Sequence, residues 1–241
     1  MKIIRKISLI KLIVIFYLSL FSQISLTQPT DPLSPDYFIK EIDDLFNDII
    51  FDDIEGVKKK ILKEEMSPNT IDKYGNPAIV VAARESKNKV LKFLADCKDI
   101  DLKLTNQFGE NALMFLSLNG NLEFVYYLVN EKHAAVDKDG WTALHYAATK
   151  GHLDIVKFLV SKDADIDPDS PNNTTPLMMA ARYGHIHVVK FLLDNGADLS
   201  AKNTQDLTAI DFANKFNQNE IRDGLISRWK KVYGRDYQIK K

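Results

Sequence analysis

Apolar positions along this chain recur at two periods. Over short stretches they fall three and four apart, which lines them along one face of a helix. Over longer distances the stretches themselves recur. Between residues 139 and 201 an offset of 33 residues pairs Thr142 with Thr175, Leu144 with Leu177, Ala147-Ala148 with Ala180-Ala181 and Gly151-His152 with Gly184-His185. The same offset pairs Val156-Lys157-Phe158-Leu159 with Val189-Lys190-Phe191-Leu192. A fixed period of this size marks a stacked array, in which one helical unit cannot bury its own apolar face and neighbouring units cover it.

The elements follow from the pattern. Phe38, Ile42, Leu45, Phe46 and Ile49 predict a helix starting at Tyr37, after a proline-rich linker at 28–36. Residues 54–63 predict a second, with Val57, Ile61 and Leu62 inward and Lys58, Lys59 and Lys60 outward. This pair has the length of one unit and the polar outer face that a terminal cap needs. Five reference positions come next, Pro77, Asn111, Thr142, Thr175 and Thr208, spaced 34, 31, 33 and 33 residues. Each follows a turn, in which Gly or Asn suits positive φ, and Thr or Asn there is a side-chain acceptor for the free N–H groups opening the next helix. An inner helix of about nine residues follows, most clearly at 143–150, and Gly151 or Gly184 ends it in the left-handed conformation. Helices this short are unstable alone in water. Stacking must therefore fold them, and the paired alanines allow close approach.

The residues carry a resemblance. GWTALHYAATKGH at 140–152 and NTTPLMMAARYGH at 173–185 resemble the Gly-x-Thr-Pro-Leu-His-x-Ala-Ala-x-x-Gly-His core of the ankyrin-repeat family, and Gly196-Ala197-Asp198 resembles its trailing turn. GNPAIVVAARESK, GENALMFLSLNGN and DLTAIDFANKFNQ are weaker copies in register, so the likeness covers about residues 38–227. The resemblance implies an all-α ankyrin-repeat solenoid of helix-turn-helix units with hairpin-like turns, about six units including degenerate terminal caps. The boundaries are a cap at 38–71, units at 72–105, 106–136, 137–169 and 170–202, a cap at 203–227 and a basic, aromatic tail at 228–241. Thr is missing at Pro77 and Asn111, and the loop before Asp137 is two residues short, so the stack should be irregular around Asn111.

Composition changes this picture mainly at the N-terminus. Lys2, Arg5 and Lys6 precede an apolar run from Ile7 to about Phe21, broken only by Lys11 and small hydroxyl residues, and Gln28-Pro29 then breaks any helix. Three readings stand for residues 1–27: a cleaved secretory signal, with Ser25-Leu26-Thr27 as the nearest cleavage motif, an uncleaved anchor over 7–26, and a cytosolic chain with an unusual start. The first places the protein in a secreted or periplasmic location, the second on a membrane as a tethered scaffold. Setting aside those four basic residues moves the net charge from −1 to −5, the wrong sign for a nucleic-acid binder. The tail alone is basic. Arg228, Lys230, Lys231, Arg235, Lys240 and Lys241, interleaved with Trp229, Tyr233 and Tyr237, suit either a solvated, frayed last helix or a grip on phosphate or anionic lipid.

Candidate chemistry is sparse. A lone cysteine, Cys97, excludes an internal disulfide. His185 and His187 diverge on a helix and form no chelate, and the acidic run from Asp163 to Asp169 lacks the Gly turn and the twelfth-position Glu of a calcium loop. Asn172 and Asn173 head glycosylation sequons that matter only on a eukaryotic secretory route. No nucleophile-base set or phosphate-cradling loop stands out, so no catalytic residue, metal or cofactor is expected. By resemblance, Thr142, His145, Gly151, Thr175 and Gly184 are structural. The resemblance also implies a concave groove for a protein partner, lined here by turn residues Tyr74, Phe108 and Trp141 and by Tyr146, Met179, Arg182 and Tyr183, types enriched in binding hot spots. Val81, Phe115 and Phe212 share the outward repeat position of Tyr146, with packing against the next unit as the competing role for both phenylalanines. Richness in Ile, Lys and Asn is the composition of an AT-rich genome; for a host-associated bacterium the partner would be a host protein.

Overall fold

The computed structural model describes residues 35–239. The expected signal or anchor, most of the linker and the last two tail residues lie outside the described residues. The chain divides into two compact units, residues 1–47 and 48–241. The described part of the first is the greater part of helix α1, Pro35–Ile50, which starts two residues earlier than the spacing predicts because Pro35 fits the first helical position. Leu45 and Phe46 are buried, whereas Phe38 is exposed, so the apolar face predicted for α1 is buried only toward its C-terminal half.

The second unit is the stack. Its first helix, α2, Ile54–Lys58, passes directly into a π-helical turn, Lys59–Lys63. Val57 and Ile61 are buried as expected, but Leu62 is exposed: the wider winding rotates it off the buried face. Lys60, expected outward, is instead mostly covered and paired with Asp48 at 2.6 Å. Inner helices follow at α3 Ala78–Arg84, α5 Ala112–Leu118, α7 Ala143–Lys150, α9 Pro176–Tyr183 and α11 Ala209–Lys215. Their outer partners are α4 Asn88–Asp96, α6 Leu122–Tyr126, α8 Leu153–Ser161, α10 Ile186–Asp194 and α12 Asn219–Tyr233. The inner helices have seven or eight residues, slightly fewer than expected. Among the described residues there is no β-strand and no helix long and apolar enough to cross a membrane.

Each inner helix packs on the next, α3 on α5, α5 on α7, α7 on α9 and α9 on α11. The alanines at their centres, Ala82-Ala83, Ala147-Ala148 and Ala180-Ala181, are fully buried, and their missing bulk is what lets the helices approach. The outer helices supply most of the bulky burial. In α8, Ile155, Val156, Phe158 and Leu159 are all buried, each worth about 1.5–3 kcal/mol relative to exposure.

Helix starts follow the reference positions. Asn111 Oδ1 accepts from the Met114 N–H at 3.0 Å and Thr175 Oγ1 from the Met178 N–H at 3.3 Å. Pro77 has no acceptor to offer, and the Ala78 N–H instead donates to Thr70 O across the hairpin at 2.9 Å. The irregularity expected around Asn111 is present only in the outer layer. There α6 passes into a π-helical turn, Tyr127–Glu131, just before the short loop, while α5 and α7 remain packed together.

Left-handed residues end the inner helices. Gly151 has φ +73° and Gly184 +83°, and the weaker copies place Ser86 and Asn217 in the same conformation. The histidine of the following unit lies over Gly120 and over Gly151: His152 Nε2 is 3.0 Å from Leu118 O, and His185 Nε2 3.0 Å from Thr149 O. Both imidazoles thus tie one unit to the preceding helix end.

The C-terminus differs from a frayed tail. Helix α12 runs past residue 227 to Tyr233, and the chain then folds back so that the Tyr237 hydroxyl donates to the buried Asp211 carboxylate and lies 2.7 Å from Thr208 Oγ1. Trp229 is buried with its ring 4.8 Å from that of Tyr237. Arg228 pairs with Asp194 and Lys230 with Asp236, each at 2.9 Å. Trp229, Tyr237 and Arg228 are therefore engaged with the stack, while Lys230 pairs within the tail itself.

Candidate protein-binding groove

Three of the hairpins are held by a side-chain oxygen five residues before the reference position. Asp72 Oδ1 accepts from the Tyr74 and Asn76 N–H groups at 2.9 and 2.7 Å. Asn106 Oδ1 accepts from Phe108 and Glu110 at 2.9 and 3.0 Å, and Asn203 Oδ1 from Gln205 and Leu207, both at 3.0 Å. Sequence reasoning missed these anchors. Their signal was available: Asp, Asn, Asp, Ser and Asn stand at this repeat position, the types that fold a turn onto their own backbone.

The predicted groove residues separate into two groups. Tyr74 and Phe108 project from their turns, 66% and 73% exposed. Trp141, expected to project likewise, is only half-exposed, because its indole lies edge-on to the buried His145 ring at 4.9 Å. Trp141 belongs with Tyr146 and Met179, which with Leu118 and Thr149 line a cavity of about 180 Å³. A second cavity of about 640 Å³ shares Trp141 and Met179 and adds Arg182, Phe212, Lys215 and Phe216. Tyr183 stands exposed beside it, its ring 5.1 Å from the Arg182 guanidinium. Phe115 and Phe212 are largely buried, Phe115 edge-on to Tyr146 at 6.5 Å. Phe216 was not predicted, although it occupies the position of Tyr183 one period on.

Hydrogen bonds fix the walls. The Tyr146 hydroxyl donates to Glu110 of the preceding hairpin, and Asn106 Nδ2 holds the other Glu110 oxygen at 2.8 Å. Burial first, and then the Glu110 carboxylate, push the Tyr146 phenol well above its ordinary range, so it stays a neutral donor. Behind Trp141, His145 is fully buried. Its Nε2 lies 2.8 Å from Thr174 O, which can only accept, and its Nδ1 lies 3.2 Å from the Thr142 N–H, which can only donate. These partners select the neutral ring protonated on Nε2. Burial lowers its pKa to about 4.

Chemically the groove offers apolar surface, amide and hydroxyl groups and two cations. None of His145, His152 and His185 lines either cavity. Among the described residues no group of three or more His, Cys, Asp or Glu could hold a metal ion.

Two family models match the chain, both described as ankyrin repeats, over residues 79–170 and 159–213. Residues of this chain are 36% identical over 103 residues to mouse ankyrin repeat and SAM domain-containing protein 6, covering 41% of this chain and 12% of that protein. They are 28% identical over 127 residues to the chicken nuclear factor NF-kappa-B p105 subunit, covering 50% and 13%. Human Notch-regulated ankyrin repeat-containing protein is 47% identical over 58 residues, covering 22% and 49%. The chain thus spans from about an eighth to about half the length of these relatives.

Proposed function

This chain belongs to the ankyrin-repeat family, whose repeats mediate protein–protein interaction, and we propose that it acts without chemistry of its own by holding a protein partner in the groove between Trp141 and Phe216. The observation that carries this reading is the pair of adjoining cavities, to which three successive units contribute Trp141, Tyr146, Met179, Arg182 and Phe216. Aromatic, Met and Arg side chains held on a packed stack bind with little loss of side-chain freedom, which is where hot spots concentrate. The proposal includes export, supported by the basic and then apolar residues 2–26. Amino-terminal sequencing of the mature chain tests it, and a chain retaining Met1 in the cytosolic fraction would count against it.

The groove itself is tested by a cross-linking pull-down from the native source with the full chain and a Trp141→Ala/Tyr146→Ala variant. The captured partner is expected to bind the variant more weakly by about 2 kcal/mol or more, with an unchanged far-UV spectrum. Equal affinity for the two proteins would remove the groove from the account.

A further inference from the structure

We infer that the groove recognises an acidic side chain of its partner lying next to an apolar one, with Arg182 and Lys215 receiving the carboxylate; this rests on the groove reading above. Arg182 and Lys215 hold the same repeat position 33 residues apart, in the last turns of α9 and α11, and line the same cavity. Neither is paired with an acid among the described residues. Arg84 holds that position two units before Thr149 and shows the contrast, because its Nε donates to Glu85 at 2.9 Å.

The Arg182 guanidinium lies over the Phe216 ring at 4.3 Å, and its Nε is buried without a hydrogen-bond partner. A helix C-terminus favours a basic residue in its last turn, which accounts for the residue type at 182 and 215. It does not account for a guanidinium N–H taken out of water and given no acceptor to offset the cost. The cavity wall contains no Asp or Glu to do so. Glu110, the acid bonded to Tyr146 at the wall of the smaller cavity, is also held by Asn106.

A carboxylate matches the planar fork of an arginine whose face is covered by an aromatic ring. The smaller cavity fixes what stands beside it. That space is walled by Leu118, Trp141, Tyr146, Thr149 and Met179 and shares two of those residues with the cationic cavity, so one extended segment places an apolar side chain in the first and an acidic one in the second.

A display selection of random peptides, about twelve residues long, on the full chain tests this directly. The enriched peptides should carry Asp or Glu within a few positions of Leu, Ile, Met or Phe. Replacing that acid by its amide should weaken binding to the wild-type chain about tenfold or more and leave binding to an Arg182→Gln/Lys215→Gln variant unchanged. Peptides whose binding needs Trp141 but which show no acidic preference would overturn the inference and leave the groove reading standing. Peptides indifferent to Trp141→Ala would overturn the groove reading as well, and a selection that enriches no binder counts against both.

Discussion

Lowering the pH from 7 to 4 should destabilise the array by about 3 kcal/mol through a single imidazole, that of His145. In the unfolded chain this ring takes up a proton near pH 6.5, whereas in the fold it does so only near about 4. Burial is the main cause. The bond to Thr174 O and the charge of Asp165 oppose the shift, and Lys138 adds to it. Between those two values the unfolded chain binds more protons than the folded one, so stability rises with pH across the window. The contribution is complete above pH 6.5 and lost progressively down to 4. Protonation also places a proton on Nδ1 against the Thr142 N–H, two donors face to face. Asp137 and Asp167, whose carboxyl pKa values burial raises, act in the opposite direction at the acid end of the window. Asp96, which its lysine and tyrosine hydrogen bonds hold well below the usual range against the opposing effect of burial, loses its contribution only below that window. Urea midpoints measured every half pH unit, for the wild type and for His145→Gln, check the assignment. The variant should be less stable at pH 7 and nearly flat between 6.5 and 4.5. An equal slope in the two proteins would assign the dependence to other groups.

Valine at Gly151 should cost about 3 kcal/mol or more, and at Gly184 about 2, an order set by what lies over each glycine. Both residues sit at positive φ, which a β-branched residue resists. The further cost differs. A Cβ at Gly151 would come within 2.7 Å of Cγ in the His185 ring, which is fixed by its bond to Thr149 O. The ring must move, and the tie between units is lost. At Gly184 the Cβ would meet the Gln218 amide oxygen at 2.6 Å, the far end of a flexible side chain that can turn away. Asparagine at Gly184 should be mild by comparison, since Asn217 already adopts this conformation in the last unit. Thermal melts of the three variants decide the order. Equal losses for both valines would mean that backbone strain alone acts and that the overlying side chains contribute nothing.

These two sites also indicate what the sequence could and could not reveal. Gly151, His152, Gly184 and His185 were legible because each does the same thing once per unit, and periodicity reports whatever is repeated. The anchors Asp72, Asn106 and Asn203 repeat as well, but Asp, Asn and Ser share the task, so the signal is one of chemistry rather than of identity. Contacts made once leave no period at all. Phe216 under Arg182, the indole of Trp141 against His145 and the return of Tyr237 to Asp211 each depend on one unit meeting a residue outside the pattern. For that reason Trp141 was expected to project and the tail to fray. The outward turn of Leu62 has a different origin, since π winding breaks the helical period that placed it.

The residue at the third position of α11 carries one more consequence. His145, in α7, offers a proton to a carbonyl of the following hairpin; Asp211, at the same repeat position, offers only lone pairs and is answered by a hydroxyl. A repeat appended by duplication after α11 would bring its hairpin carbonyl against a carboxylate, two acceptors with no hydrogen between them. Asp211 and Tyr237 therefore close this face of α11 by a chemistry different from the one that joins α7 to its neighbour.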